Sequence, residues 1–218
     1  MKQVKALIKG ADSKKRCFWC GDDAQYIEYH DLQWGRPVTN DNQLYEKICL
    51  EGFQAGLSWL TILRKRESFR RAFRSFDPKI VARFKQRDVN RLMKDESIVR
   101  HRGKIESAIQ NAKSTLEVQR EFGSLAKFVW SFRPDPVVIS KTKAPTQIKE
   151  IKASTPESAA LSKALRDRGF KFVGPTTMYA AMQSLGLVND HFAGCHVRQA
   201  CQEQQLVTAK KNPKRVVA

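Results

Sequence analysis

The chain has 218 residues, 41% of them hydrophobic, enough to bury one core, so a single domain is expected. Its apolar runs are short and broken by Lys and Arg, which excludes a helical membrane span, and the opening MKQVKALIKGADSKKR lacks the apolar stretch of a signal peptide. Lys and Arg number 40 against 22 Asp and Glu, a net charge of +18 that points to a polyanionic partner, most often nucleic acid.

In chain order, residues 1–15 read as a basic, mobile extension, residues 16–200 as the folded domain, and residues 201–218 as a second basic, mobile tail. The 5 cysteines, odd in number and unevenly spaced, argue against a disulfide framework and for an intracellular protein with reduced thiols. The stretch CFWCGDDAQYIEYHD (17–31) gathers Cys, aromatic and His residues. Asn40 or Asp41 can cap a helix carrying Leu44 and Ile48. Gly52 and Gly56 bracket a break. Ser58 can cap the next helix, with Trp59, Ile62, Leu63, Phe69, Phe73 and Phe76 at helical spacing. Asp77-Pro78 is a helix start, because Asp accepts from orphan amides and Pro fits the first turn. Asp88 opens a short helix with Val89, Leu92 and Met93.

A tight turn around VRHRG, ending at Gly103, leads to a helix with Ile105, Ala108, Ile109, Ala112 and Leu116 on one face. Ser124 opens LAKFVWSF. Residues 133–153 carry three prolines and read as loop. STPES restarts helix, which Gly169 stops; Gly174-Pro175 starts another, which Gly186 stops. Asn189 or Asp190 can cap a last short helix holding His191. Strand signals are nearly absent and there is no internal repeat. The fold class expected is all-α, a bundle of short helices.

Residues 88–112 form two helices joined by a turn. Such a hairpin can aim backbone N–H groups at a phosphate, and the second helix adds its positive end. Arg100, Arg102 and Lys104 place charge beside Gly103. The unit resembles the helix–hairpin–helix of DNA-repair proteins, with His101 where the first glycine of that motif would stand. A plain turn with basic decoration is the alternative at this point.

The stretches RCFW, YIEYHDLQWGRP, LYEKICLEGFQAGLSWLTILRKRE, IVRHRGKI, FVWSF, LSKALRDRGFKFVG and GLVNDHFAGC, in this order, resemble one family, the bacterial-type 3-methyladenine DNA glycosylases I (Tag). The resemblance covers roughly residues 16–195. It implies a monomer that acts on alkylated double-stranded DNA, in a bacterial cytoplasm, without a nucleotide cofactor or a membrane. A nuclear role for the basic tail is the alternative on compartment.

Cys17, His30, His191 and Cys195 match the positions at which that family holds structural zinc. Two Cys and two His complete a tetrahedral shell, which leaves no open position for catalysis. His191 and Cys195, four apart, share a face if their segment is helical. Cys20 makes a C-x-x-C with Cys17 and competes as a ligand or redox partner. Cys49 and Cys201 read as core and tail cysteines.

A glycosylase must take its target base out of the duplex stack and hold it between flat side chains. Glu51 matches the family's base-contacting acid, with Tyr29 and Trp59 beside it, and Trp19 and Tyr26 as further stacking candidates. On spacing alone Tyr29 and Trp59 read as core aromatics and Glu51 as a charge at a helix end. In GFQAGLSW, Leu57 is the apolar and Gln54 the polar candidate to fill the gap left by the flipped base. A 3-methylated adenine still on its sugar is cationic, and each aromatic face attracts it by about 0.5–2 kcal/mol. A desolvated carboxylate adds to that preference.

The reaction implied is hydrolysis of the N-glycosidic bond through an oxocarbenium-like transition state. The cationic base leaves readily. Residues 103–123 hold no Asp to assist water, so catalysis rests on binding and orientation, and no general base is assigned. Two other readings stay open at this stage. One is a non-catalytic helix–hairpin–helix DNA-binding module with structural zinc. The other is a zinc-dependent hydrolase of small molecules.

Overall fold

Ten helices and one antiparallel hairpin carry the computed structural model, which describes residues 5–135 and 143–211. The helices are α1 (Ala24–Leu32), α2 (Asp41–Gln54), α3 (Trp59–Ala72), α4 (Pro78–Val81), α5 (Gln86–Lys94), α6 (Arg102–Phe122), α7 (Leu125–Ser131), α8 (Pro156–Asp167), α9 (Pro175–Ser184) and α10 (Arg198–Lys211). No described helix is long and apolar enough to cross a membrane.

Local chemistry sets most starts. The side chains of Asp23, Asn40, Ser58, Asp77, Ser124 and Thr155 each accept a hydrogen bond from a first-turn amide of the helix that follows. Pro78, Pro156 and Pro175 occupy first turns, where no amide is needed. Helix α5 starts two residues before Asp88, whose carboxylate reaches back to the Lys85 amide.

Helix α2 is the centre of the bundle and packs on α3, α6, α7 and α9. It buries Leu44, Tyr45, Ile48, Leu50 and Phe53 against Phe69, Phe73, Phe76 and Trp130. Each large apolar side chain so buried contributes about 1.5–3 kcal/mol. Two polar contacts fix its angle. Tyr45 Oη donates to Ala108 O at 2.7 Å, and the Asp41 carboxylate accepts from the amides of Leu125 and Ala126, both at 2.9 Å.

Four expectations are corrected. Residues 7–15, expected in the basic extension, are part of the fold: strand β1 (Leu7–Lys9) pairs antiparallel with β2 (Lys15–Cys17), Leu7 opposite Cys17. Three-residue strands are too short to show alternation, and Leu7 is held by packing on a second apolar cluster around Cys17, Phe192 and Cys195. The C-terminal tail expected from residue 201 is helix α10 as far as Lys211, with Cys201, Gln205 and Ala209 buried. Those residues recur every four positions, so one face is buried although it carries little hydrocarbon. Gln205 Nε2 donates to Gly35 O and Val188 O. The remaining tail residues, 212–218, lie outside the described residues, as do 1–4 and 136–142 of the expected extension and loop.

His191 is not in a helix. Residues 189–192 are irregular, turns follow at 193–194 and 196–197 with Gly194 at φ +86°, and helix starts only at Arg198. Finally, the loop of residues 133–153 contains a short 3₁₀ turn, Ile148–Glu150.

Candidate active site

Glu51 lies in the last turn of α2, Trp59 opens α3 behind its Ser58 cap, and Tyr29 sits on the buried side of α1. All three line one cavity of about 270 Å³, together with Trp19, Tyr26 and Gln54. The ring centroids of Tyr29 and Trp59 are 5.4 Å apart, and those of Trp19 and Tyr26 5.2 Å apart. Glu51 is only 6% exposed, so its carboxylate belongs to the cavity and not to bulk solvent. Leu57 stands exposed between α2 and α3, at 42%. Trp59 Nε1 is buried without a hydrogen-bond partner among the described residues.

The far wall comes from the C-terminal half. Ile148 and Ile151, from the segment between α7 and α8, line it together with Phe192. Asp190 also lines the cavity. Its Oδ2 accepts from Tyr179 Oη and Gln183 Nε2, both at 2.7 Å, so it is a second carboxylate of the cavity with one oxygen tied to α9. Its sequence position suggested only a helix cap.

Lys47 was not anticipated. One turn before Glu51 on α2, its Nζ lies 3.0 Å from Glu51 Oε1, donates to Tyr29 Oη at 2.8 Å, and stands 3.4 Å from the centroid of the Trp59 ring. The i, i+4 spacing of Lys47 and Glu51 is the one signal in the sequence that could have revealed it. Burial pulls the Lys47 ammonium down to about 8, against the Glu51 carboxylate, which supports its charge. Burial pushes the Tyr29 hydroxyl well above its ordinary range.

Behind this pocket, Cys17, His30, His191 and Cys195 converge, all buried, with one ligand atom from each within 4.8 Å of the others. Cys195 Sγ is 3.5 Å from both His30 Nε2 and His191 Nδ1. The other nitrogen of each ring is engaged: His30 Nδ1 with Asp31 Oδ1 at 2.8 Å, His191 Nε2 with Trp34 O at 3.1 Å. A carboxylate or carbonyl behind each imidazole is how proteins orient histidine toward a metal. Contact between the two thiols pushes Cys17 up and pulls Cys195 down, with His191 and His30 adding to the latter, so the group favours a thiolate. Burial lowers the His191 imidazole from its ordinary range. Two soft sulfurs and two imidazole nitrogens are a donor set that fits zinc. Cys20 stands outside the group, its Sγ donating to Cys17 O at 3.2 Å.

Comparison with known proteins decides the family. The family model described as methyladenine glycosylase matches residues 19–199. The chain is 50% identical over 181 residues to the DNA-3-methyladenine glycosylase 1 of Escherichia coli, covering 83% of this chain and 95% of that protein. It is 45% identical over 180 residues to the DNA-3-methyladenine glycosylase of Haemophilus influenzae, covering 83% and 96%.

The chain belongs to the methyladenine glycosylase family.

A crystal structure of a tyrosine-to-phenylalanine variant of 3-methyladenine DNA glycosylase I, in complex with 3-methyladenine, is similar at a TM-score of 0.78 and 34% identity, covering 84% of this chain and 97% of that one.

Within this family fold the hairpin residues divide. Arg100 and Arg102 are exposed and carry i, i+4 pairs with Glu96 and Glu106. Gly103 is not the end of the turn but the second residue of α6, tucked under the His101 ring, where an added Cβ would meet Cε1 at 3.3 Å. His101 is the cap, its Nδ1 accepting from the Lys104 amide at 3.2 Å. Lys104 is corrected as a DNA contact. It is 7% exposed, and its Nζ donates to Phe53 O at 2.9 Å and to Ala55 O. Those carbonyls at the end of α2 need donors, and a buried ammonium meets two of them. Lys104 thereby fixes the segment that presents Glu51 and Gln54.

Proposed function

We propose that this protein is a DNA-repair glycosylase that releases 3-methyladenine from alkylated DNA by hydrolysing its N-glycosidic bond. The observation that carries this reading is the buried Glu51 in one cavity with the rings of Tyr29 and Trp59. The complex of a relative with 3-methyladenine supports the ligand class. The lesion nucleotide enters the cavity flipped out of the duplex. Tyr29, Trp59, Trp19 and Tyr26 supply ring faces, Glu51 accepts from the exocyclic amine, and Trp59 Nε1 offers a donor to a ring nitrogen. These groups hold the cationic base as electrons move onto it from the breaking bond, and water completes the sugar carbon. Rate comes from orientation and from a preorganised, water-poor environment.

The helix–turn–helix over residues 86–122, with the positive end of α6 and the exposed Arg100 and Arg102, supports a grip on DNA phosphates. Leu57 and Gln54, exposed and pocket-lining respectively, support a wedge in the emptied stack. We assign Zn²⁺ to Cys17, His30, His191 and Cys195 as a structural ion. When bound it would tie the β-hairpin, α1 and the turns before α10 together through a closed shell, without activating water.

The test is release of methylated base from methylated duplex DNA. The parent is expected to release 3-methyladenine and Glu51→Ala to lose that activity. A folded parent that binds DNA and releases nothing would leave a non-catalytic DNA-binding module.

A further inference from the structure

We propose that Lys47 is a positioning residue of the base pocket, its ammonium group holding Tyr29, Glu51 and Trp59 in their base-receiving arrangement. The proposal rests on the glycosylase reading above and adds to it a pH-dependent setting of the pocket.

Tyr29 and Trp59 form a wall between two cavities. The base cavity lies on one side; on the other lies a space of about 410 Å³ lined by Lys47, Glu46, Arg66 and Arg70. Lys47 lines only the second. It therefore contacts the pocket residues without occupying the place of the base. One ammonium group makes three contacts with three site residues: an ion pair to Glu51, a hydrogen bond to Tyr29 and a ring contact with Trp59. These come from α2, α1 and α3, so a single charge ties the three helices that build the pocket.

The charged groups around Lys47 make Glu51 its counter-ion. On its own helix stand Glu46 and Glu51, and Glu46 is taken by Arg70, 2.9 Å away on α3. From α3, Arg66 opposes the Lys47 charge; from α1, Tyr29 contributes a neutral hydroxyl; from α9 the lining residue is the neutral Ser184. While protonated, Lys47 keeps the Glu51 carboxylate paired and the two rings pinned. Once deprotonated, it leaves Glu51 a buried charge without a counter-ion and Trp59 without its cation, and the pocket loses its arrangement. Burial places that deprotonation at about pH 8, within reach of experiment.

The experiment measures base release from methylated duplex between pH 6 and pH 10 for the parent, Lys47→Met and Lys47→Arg, all checked for folding by circular dichroism. In parallel, tryptophan emission of the DNA-free protein is titrated, with Trp59→Phe to assign the signal. The parent is expected to lose activity above about pH 8 with the slope of one proton, and its Trp59 emission to change at the same midpoint. Lys47→Arg is expected to keep neutral-pH activity and to show no loss up to pH 10, because a guanidinium keeps its charge there. Lys47→Met is expected to be about tenfold slower at pH 7, flat above it, and without the emission change. Should Lys47→Met not fold, Lys47→Arg carries the test alone. A parent alkaline limb retained in Lys47→Arg, or no Trp59 transition in the parent, overturns the proposal. A parent with the emission transition and no base release sinks the glycosylase reading and the positioning role in it, and so separates the two failures.

Discussion

Cys17 Sγ and His191 Nδ1 lie 3.5 Å apart across 174 positions of sequence. Joining them through one ion would close nearly the whole domain into a loop, which removes conformational freedom from the unfolded chain. Chelation is therefore expected to lower the Tm by roughly 10 °C, since a staple of this kind contributes about 3–4 kcal/mol and 1 kcal/mol is worth ~2–4 °C at this size. Calorimetry and base release, followed together during chelation, check this. Activity lost well before the fold would instead indicate a metal that takes part in chemistry.

Glu51→Gln keeps the shape of the pocket and removes its carboxylate charge. Loss of a charge-assisted hydrogen bond costs about 1.5–3 kcal/mol, so base release is expected to slow by roughly 10- to 100-fold with little change in Tm. Single-turnover kinetics on methylated DNA give the number.

Leu57 is exposed in the free protein, so its removal costs the fold little. Leu57→Ala is expected to weaken affinity for lesion-containing duplex by about tenfold, the worth of ~1.4 kcal/mol of lost burial. Affinity for free 3-methyladenine stays the same. Equal affinity of parent and variant for the lesion duplex would remove the wedge.

Two neighbouring cations should behave oppositely. Arg102→Ala is expected to lower the salt dependence of DNA binding by about one phosphate contact and to leave stability unchanged. Lys104→Met removes the donor to Phe53 O and Ala55 O and is expected to cost about 1–3 kcal/mol of stability, with the salt slope intact. Urea unfolding and DNA titrations at several salt concentrations separate them.

Lys47 also gives stability a pH dependence. The folded chain releases this proton at about pH 8 against an ordinary 10.5, so between those values the unfolded chain binds more protons. The sign follows: the cost of burying this charge is full below pH 8 and is relieved as pH rises toward 10.5. Urea unfolding at pH 7.5 and pH 10 is expected to show a rise in the parent relative to Lys47→Met, and no difference would contradict it.

The sequence by itself determined what depends on a few neighbouring residues. Asn40, Ser58, Asp77 and Ser124 cap helices because an oxygen two or three positions ahead of an orphan amide reaches it whatever the rest of the fold does. Helical apolar spacing in the same way marked Leu44, Ile48, Phe69 and Phe73 as core. The resemblance to a family supplied Glu51, Tyr29, Trp59 and the set Cys17, His30, His191 and Cys195, and the tertiary structure brings each set together. Only that structure separated Arg102 from Lys104, two cations on one short stretch, because exposure depends on which carbonyls a distant helix leaves unpaired. Only it placed Lys47 among three pocket residues, Asp190 and Ile148 in the far wall, and Leu7 and Cys201 inside the fold. Those positions are decided by packing between segments far apart in the chain, where burial and charge pairing override the character a residue shows in its local sequence.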